Sequence, residues 1–174
     1  MDNLIIIGGS PFVNTIDLCK LDYTKYDILA INVQPTGIPV KYLLGVDEIN
    51  PMSAPKTTRI LQTDGWKFNT NEYYNLENKE LCFKYYSSSC AVLFAWLKGY
   101  KNVYLLGVDL IEDTKPFHHW HGKINTKSVC IDTLKLEKQY IYSFLKYINI
   151  YQSNPEVINQ WNLPYFDVKD LLTK

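Results

Sequence analysis

The hydrophobic residues of this chain are grouped into short continuous runs separated by longer polar segments. Residues 103–106 form a continuous, partly β-branched run, which is typical of a parallel strand covered on both faces. Residues 4–7, 27–33 and 42–46 are also largely apolar, and we predict strands there and a short strand at residues 149–152. The pattern indicates an α/β fold, a single-domain Rossmann-like three-layer fold with a mainly parallel sheet over all 174 residues.

Three segments have the apolar spacing or composition of helices. Residues 12–21 carry apolar residues at helix-compatible positions. Residues 90–97 are apolar almost all round, so we predict a helix buried against the sheet, with Gly99 just past its end. Ser128 can cap a long helix that reaches roughly to Tyr147. The predicted core-facing residues of that helix are Val129, Thr133, Leu136, Tyr140, Phe144 and Tyr147.

The region between the third strand and the buried helix has a weaker pattern. Residues 58–62 and 81–85 are predicted as two further strands. The polar, aromatic and asparagine-rich residues 63–79 between them are predicted to be an irregular surface excursion.

The charge balance limits the kinds of partner. Lysine plus arginine and aspartate plus glutamate each total 18, so the formal net charge is zero. Nucleic-acid binding usually leaves a basic footprint, and Arg59 is the only arginine, so we predict no nucleic-acid partner. No apolar run approaches the roughly 20 residues that span a bilayer, which predicts a cytoplasmic protein without a membrane span.

The cysteines show no C-x-x-C spacing, so we predict that they are reduced core residues. The sequence leaves the oligomeric state open, a homo-oligomer included. The four cysteines are Cys19, Cys82, Cys90 and Cys130.

Glycines and polar residues follow the first two predicted strands. Because glycine has no Cβ and tolerates positive φ, Gly8 and Gly9 would let the backbone approach a ligand closely. Ser10 follows them at the first strand-to-helix turn, where doubly wound folds hold phosphates. The amide of Asn32, at the end of the second strand, can read a base or ribose edge or can form a local turn.

The stretch from residue 85 to residue 109 predicts half of a nucleotide-binding unit. Ser87 and Ser88 precede the buried helix, where unpaired backbone amides and the helix dipole favour an anion such as phosphate. Gly107 and Asp109 fall at or just beyond a strand's carboxyl end, and ligands of open parallel sheets bind outside those ends. A capped helix and an ordinary strand without any ligand explain the same residues.

All three histidines lie together in a predicted loop after the strand at 103–106. With an ordinary pKa of about 6.5, His119 or His121 can act as a general base at neutral pH. A metal site would need Glu112 and Asp113 in addition, because the two histidines alone do not match a known zinc motif. A solvated loop without a chemical role is the third alternative.

Taken in order, these motifs resemble the small bacterial sialyltransferases and the wider family that includes flagellin-modifying motility accessory factors. Family members run from a strand into Gly-Asn-Gly-Pro-Ser, then to a strand ending in Asn, a Ser/Thr loop, a helix to Gly-Tyr, and a strand to Gly-Ile/Val-Asp. A histidine-bearing loop, a helix and a strand ending near Asn-Pro follow. The corresponding residues here are Gly8-Gly9-Ser10-Pro11, Asn32, Ser87-Ser88, Gly99-Tyr100, Gly107-Val108-Asp109, His119 with His121, and Asn154-Pro155.

The resemblance implies a transferase that uses CMP-sialic acid or a related nucleotide-activated sugar as donor. It implies that a loop histidine, here His119 or His121, acts as general base on the acceptor hydroxyl, and that no cofactor or metal is tightly bound. The implied donor site consists of Gly8, Gly9, Ser10, Asn32, Ser87, Ser88, Gly107, Asp109 and Asn154.

Two other functions fit the same motifs. Gly9 and Phe12 stand where the family has Asn and Ser, and this loss of two ligand-contacting side chains favours a non-catalytic protein that binds or sequesters a nucleotide. Archaeal pterin diphosphokinases resemble the same wider family and imply diphosphate transfer to a pterin. Dependence on Mg²⁺ would separate that reaction from sugar transfer.

Overall fold

The structure, a computed structural model, describes residues 1–32, 35, 37–45, 59–62, 87–111, 117–118, 124–125 and 131–173. The strands are β1 (Asn3–Ile7), β2 (Asp27–Ile31), β3 (Tyr42–Gly45), β4 (Arg59–Gln62), β5 (Asn102–Leu106), β6 (Phe117–His118), β7 (Ile124–Asn125) and β8 (Asn149–Gln152). The α-helices are α1 (Ser87–Leu97) and α2 (Ile131–Ser143), and none of the described helices is long and apolar enough to cross a membrane.

The main sheet contains six strands in the order β4-β3-β2-β1-β5-β8, and every neighbouring pair is parallel. The chain builds the sheet outward from β1 to β4 and then crosses back, so that β5 pairs with the other edge of β1. The predicted α/β, Rossmann-like fold with a mainly parallel sheet is therefore confirmed. The β6 and β7 strands form a separate antiparallel pair.

Alternate residues of each central strand enter two different cores. In β1, Leu4 and Ile6 face the core that includes α1 and α2, whereas Ile5 and Ile7 face the opposite core. Because β1 is covered on both faces, it contains apolar residues without polar alternation. The unbroken hydrophobic run in the sequence thus follows from the position of this strand in the middle of the sheet.

The second face of the sheet differs from the prediction. The expected helix over residues 12–21 is absent, and two 3-10 helices, Pro11–Thr15 and Leu18–Lys20, occupy the segment. The side chains of Ser10 and Asp17 accept hydrogen bonds from the backbone at the start of these helices. Because the side chain of Asp17 caps a new short helix, the segment does not form one continuous helix.

The predicted face of α2 is correct for Phe144, which is buried, and for Tyr140, which packs against the core. It is wrong for Leu136 and Tyr147, which are exposed, Tyr147 by 52 %. The turn of the chain after Ser143 ends the helix before Tyr147, which was predicted to belong to it. The residues of this segment that are buried are Leu134, Glu137, Ile141, Phe144 and Ile148.

The end of α1 agrees with the prediction for Gly99. This glycine has a φ of 81°, its N–H donates to the carbonyl of Trp96, and the next N–H donates to the carbonyl of Ala95. The pair of bonds forms a Schellman motif, which favours glycine at the left-handed position. The turn leads directly into β5, so the first residues of α1 lie toward the edge of the sheet where the strands have their carboxyl ends.

The cysteine prediction is correct for one of the two cysteines that the structure describes. Cys90 is a buried, reduced core residue on α1, whereas Cys19 is reduced but exposed. Cys19 lies in the 3-10 helix Leu18–Lys20, in which no residue is buried. Cys82 and Cys130 lie outside the described residues.

Candidate functional site

The candidate site lies where the strand order reverses, at the carboxyl ends of β1 and β5. Ile7 and Leu106 are paired at the last position of their strands. Beyond them, the N–H of Gly8 donates to the carbonyl of Leu106 at 2.8 Å, and the N–H of Ser10 donates to the carbonyl of Gly107 at 3.0 Å. The two loops therefore leave the sheet side by side, at the place where ligands bind in open parallel sheets.

Close packing between these loops requires both glycines. A Cβ on Gly8 would collide with the carbonyl of Gly107 and would lie 2.8 Å from Val108 Cγ2. Gly107 has a φ of 71°, and a Cβ there would collide with the side chain of Val13. Steric fit within the protein thus accounts for two of the predicted site glycines.

A carboxylate stands at the centre of the site. Asp109 accepts hydrogen bonds on Oδ2 from the Ser10 hydroxyl and from Asn154 Nδ2, the second at 2.9 Å. Its other oxygen, Oδ1, is buried and has no hydrogen-bond partner among the described residues. The structure therefore brings together three predicted site residues that are 99 and 45 positions apart in the sequence.

The surroundings of Asp109 disfavour its charged form. Burial raises the pKa of this carboxyl above its ordinary value, the hydrogen bonds from Ser10 and Asn154 lower it, and the nearby Glu156 raises it further. The balance is a raised pKa, because loss of hydration outweighs the two donors. The free Oδ1 can accept a hydrogen bond from a ligand, and a donated hydrogen bond there would stabilise the carboxylate.

A buried polar cluster fixes the backbone around Asp109. Gln152 Nε2 donates to the carbonyl of Val108 at 3.0 Å, and Gln152 Oε1 accepts from the N–H of Asn154 at 3.0 Å. Trp161 Nε1 donates to the carbonyl of Asp109 at 2.7 Å. The next residue, Leu110, has a φ of 46°, which is rare for a branched side chain and indicates a strained backbone at this site.

Two further predicted residues, Asn32 and Gly9, lie on the same edge of the sheet. Asn32 directly follows β2, is exposed, and has a φ of 63°. Its N–H donates to the carbonyl of Leu44 at 2.8 Å. Gly9 is half-buried between Gly8 and Ser10. A left-handed asparagine at a strand end is also an ordinary turn residue, so both of the interpretations made from the sequence remain open for Asn32.

The predicted serines form the first turn of α1 rather than a loop before it. Ser87 is half-buried, and Ser88 is buried with its hydroxyl donating to Glu137 of α2. The predicted anion site at this helix start therefore already contains a carboxylate of the protein.

The predicted histidines are outside the part of the chain that can be assessed. His119 and His121 lie outside the described residues, as do Glu112 and Asp113, the acids of the alternative metal site. His118 belongs to β6, opposite Ile124. Within the described ranges there is no group of three or more residues that could hold a metal ion.

Several residues of the site were missed by sequence reasoning. Gln152 and Ser153 are fully buried polar residues at the end of β8, and Ser153 Oγ has no hydrogen-bond partner among the described residues. The signal that could have identified them is a run of polar residues at the end of the predicted strand at 149–152. Trp161 could not have been identified, because nothing in the local sequence relates it to Asp109.

Comparisons of the chain with family models, with curated proteins and with solved structures give no match. The resemblance to sialyltransferases therefore stays a prediction, and the case for function depends on the geometry at the carboxyl ends of β1, β5 and β8.

Proposed function

We propose that this protein is a sialyltransferase-like glycosyltransferase that binds a nucleotide-activated sugar of the CMP type where β1 and β5 diverge. The observation that supports the proposal most is the half-buried Asp109 carboxyl, which is held between Ser10 and Asn154 and has one buried oxygen without a partner among the described residues. Its position at the reversal of strand order is the position of nucleotide sites in doubly wound folds.

The chemistry of Asp109 suits the nucleoside part of such a donor. A carboxylate oxygen only accepts hydrogen bonds, and ribose hydroxyls and the amino group of cytosine are donors. A buried site strengthens such a bond, because water competes poorly for it there. A phosphate next to Oδ1 would bring two negative groups together, so we place the phosphate away from this oxygen.

In the proposed reaction, an acceptor hydroxyl oxygen attacks the anomeric carbon of the donor sugar. The new glycosidic bond forms as the bond between that carbon and the phosphate oxygen breaks, and CMP leaves with the bonding electron pair. His119 or His121 would take the proton of the acceptor hydroxyl. The resemblance implies that no cofactor is tightly bound during this transfer.

A non-catalytic nucleotide-binding protein is the second candidate, and one observation favours it. The described residues that converge on the site, Ser10, Asp109 and Asn154, are hydrogen-bonded to one another and are suited to hold a ligand. The general base would come from a different segment. Binding therefore does not depend on the histidines, whereas turnover does.

The experiment combines binding and product release. Calorimetry with CMP, CMP-sialic acid, UMP and GMP should show binding of the cytidine ligands, and Asp109→Asn should weaken it by about 10-fold or more, because a charged acceptor becomes a weaker one. Asp2→Asn, which changes an exposed carboxylate before β1, is the matched control and should bind normally. If no cytidine ligand binds, the proposed function is wrong.

Catalysis requires a separate measurement. Release of CMP from CMP-sialic acid in the presence of acceptor sugars should fall by about 100-fold or more in a His119→Ala, His121→Ala double variant, while binding of CMP persists. Normal binding with no CMP release in the wild-type protein would instead support the nucleotide-binding alternative.

A further inference from the structure

A second buried carboxylate lies at the start of α1. Glu137, in the middle of α2, is only 6 % exposed. It accepts a hydrogen bond on Oε1 from the Ser88 hydroxyl, and the backbone N–H groups of Ser88 and Ser89 donate to it as well. A residue 49 positions away in the sequence thus provides the acceptor for the first turn of α1.

The start of a helix is a strong position for a negative group. The first four N–H groups have no partner within the helix, and the aligned peptide dipoles place partial positive charge there. A local side chain, a phosphate or another anion usually satisfies these groups. In this protein a carboxylate from a neighbouring helix does so, in a site that is closed to solvent.

Burial of the Glu137 carboxylate costs free energy, and hydrogen-bond donors offset part of that cost. The pKa of Glu137 is raised, because burial outweighs the Ser88 hydroxyl and the backbone N–H groups of Ser89 and Ser88, which lower it. The three donors come from the first turn of α1. Glu137 therefore fills the same electrostatic position that an external anion would fill.

We propose that Glu137 is a specificity-determining residue, because it occupies the anion-binding start of α1 and thereby excludes the phosphate of a nucleotide ligand from that helix. The phosphate is left with the loops that follow β1 and β5, although α1 begins on the same edge of the sheet. That the excluded group is the phosphate of a nucleotide rests on the proposed function. That Glu137 occupies the start of α1 does not rest on it.

The test removes the Glu137 carboxylate by mutation and supplies formate, a small carboxylate, from solution. Glu137→Ala should lower the melting temperature by about 4–10 °C, since it leaves buried donors without an acceptor. Sodium formate at about 0.1 M should restore at least half of that loss relative to sodium chloride at the same ionic strength. Wild-type protein and Glu137→Gln, which keeps an acceptor oxygen and nearly the same volume, should respond to both salts alike.

A Glu137→Ala variant that responds to formate no more than wild type does would overturn the proposal. If this variant does not fold in chloride, a cooperative transition regained in formate supports the proposal, and no transition in either salt while Glu137→Gln folds contradicts it. Because formate rescue is measured without a nucleotide, its outcome is independent of whether cytidine ligands bind. Failure of this inference and failure of the proposed function are therefore distinguishable.

Discussion

The hydrogen bonding of polar side chains differs between the edge of the parallel sheet where the strands begin and the edge where they end. At the edge where the strands begin, three asparagines form a chain across β1, β5 and β8: Asn149 Nδ2 donates to Asn102 Oδ1 and Asn102 Nδ2 donates to Asn3 Oδ1, both at 2.9 Å. At the edge where the strands end, the buried oxygens of Asp109 and Ser153 lack partners among the described residues. The contrast shows that one edge holds the strands together through paired side chains, while the other has two buried oxygens whose hydrogen-bonding capacity the described residues do not use.

A second cluster at the starting edge follows the same rule. Asp27 Oδ2, at the start of β2, accepts a hydrogen bond from the Tyr100 hydroxyl at 2.6 Å. It also accepts one from Lys41 Nζ at 2.8 Å, with which it forms an ion pair. Burial raises the pKa of Tyr100, and its bond to Asp27 raises it further, so this phenol stays a donor. Here two donors of the protein itself bond one oxygen of a half-buried carboxylate.

The largest expected effect tests the close packing of the loops after β1 and β5, at the edge where the strands end. Gly8→Ala should lower the free energy of unfolding by about 3 kcal/mol or more, because the new methyl group meets the backbone of Gly107, which cannot move aside without separating β1 from β5. Gly37→Ala is the control, since it has the strain of a positive φ but no neighbouring atom within 4 Å. It should cost about 1 kcal/mol in urea unfolding. Equal losses in the two variants would refute the packing argument.

An intermediate effect is expected at the starting edge. Tyr100→Phe should cost about 1.5–3 kcal/mol of unfolding free energy, because it removes a hydrogen bond to a charged group and keeps the ring. Tyr23→Phe removes a bond to the backbone carbonyl of Leu18 and should cost about 1 kcal/mol. Neither substitution should change the affinity for CMP, and a change in Tyr100→Phe would remove the functional distinction between the two edges.

The smallest effect on stability is expected at Asp109, and its sign depends on pH. Because the folded-state pKa is raised, the folded protein holds this proton more tightly than the unfolded chain does. The contribution of Asp109 to stability is therefore greatest below the ordinary pKa of 3.8 and declines as the pH rises through the folded-state pKa. Asp109→Asn lacks this decline, so its stability relative to wild type should increase with pH between roughly pH 4 and 7.

Urea midpoints across that pH range check this prediction. Asp2→Asn should show the opposite slope only at the acidic end of that range and no slope above it, because the hydrogen bond and charge of Lys101 lower the pKa of Asp2, and the stabilisation of this carboxylate is complete above its unfolded-state pKa. A falling relative stability of Asp109→Asn with pH would mean that Asp109 is stabilised as a carboxylate, contrary to the argument from burial.

The strand pattern of the fold could be predicted from the sequence, because strands covered on both faces need unbroken apolar runs such as those in β1 and β5. The strand at 42–46 was confirmed for Tyr42–Gly45, and the strand at 58–62 for Arg59–Gln62. The strand predicted at 81–85 lies outside the described residues. Runs of this kind do not specify which strands are neighbours, so the crossover between β1 and β5 needed the structure.

The face of α2 could not be predicted because its buried stripe contains a charge. A glutamate at position 137 interrupts the apolar spacing formed by Leu134, Ile141 and Phe144, and the exposed Leu136 and Tyr147 offered a more regular alternative. Only the serines at the start of α1 make a glutamate acceptable inside the protein. Such a pairing depends on two distant segments and leaves no local signal.

The candidate site was predictable in part. The position of polar residues after strands singled out Ser10 and Asp109, since carboxyl ends of parallel strands meet at one edge. The resemblance to sialyltransferases added Asn154. The hydrogen bonds among them depend on strand order and register, which the sequence does not contain. The roles predicted for His119 and His121 stay predictions.

The register between β1 and β5 has a consequence for how this site can change. Ile7 and Leu106 end their strands as partners, so Ser10 and Asp109 each lie three residues beyond a shared level. A deletion or insertion of one residue in either loop would move one side chain out of step with the other and would separate the hydroxyl from the carboxylate. Variation of loop length would thus disrupt this contact between the two loops, whereas side chains can be replaced on loops of constant length without a change of register.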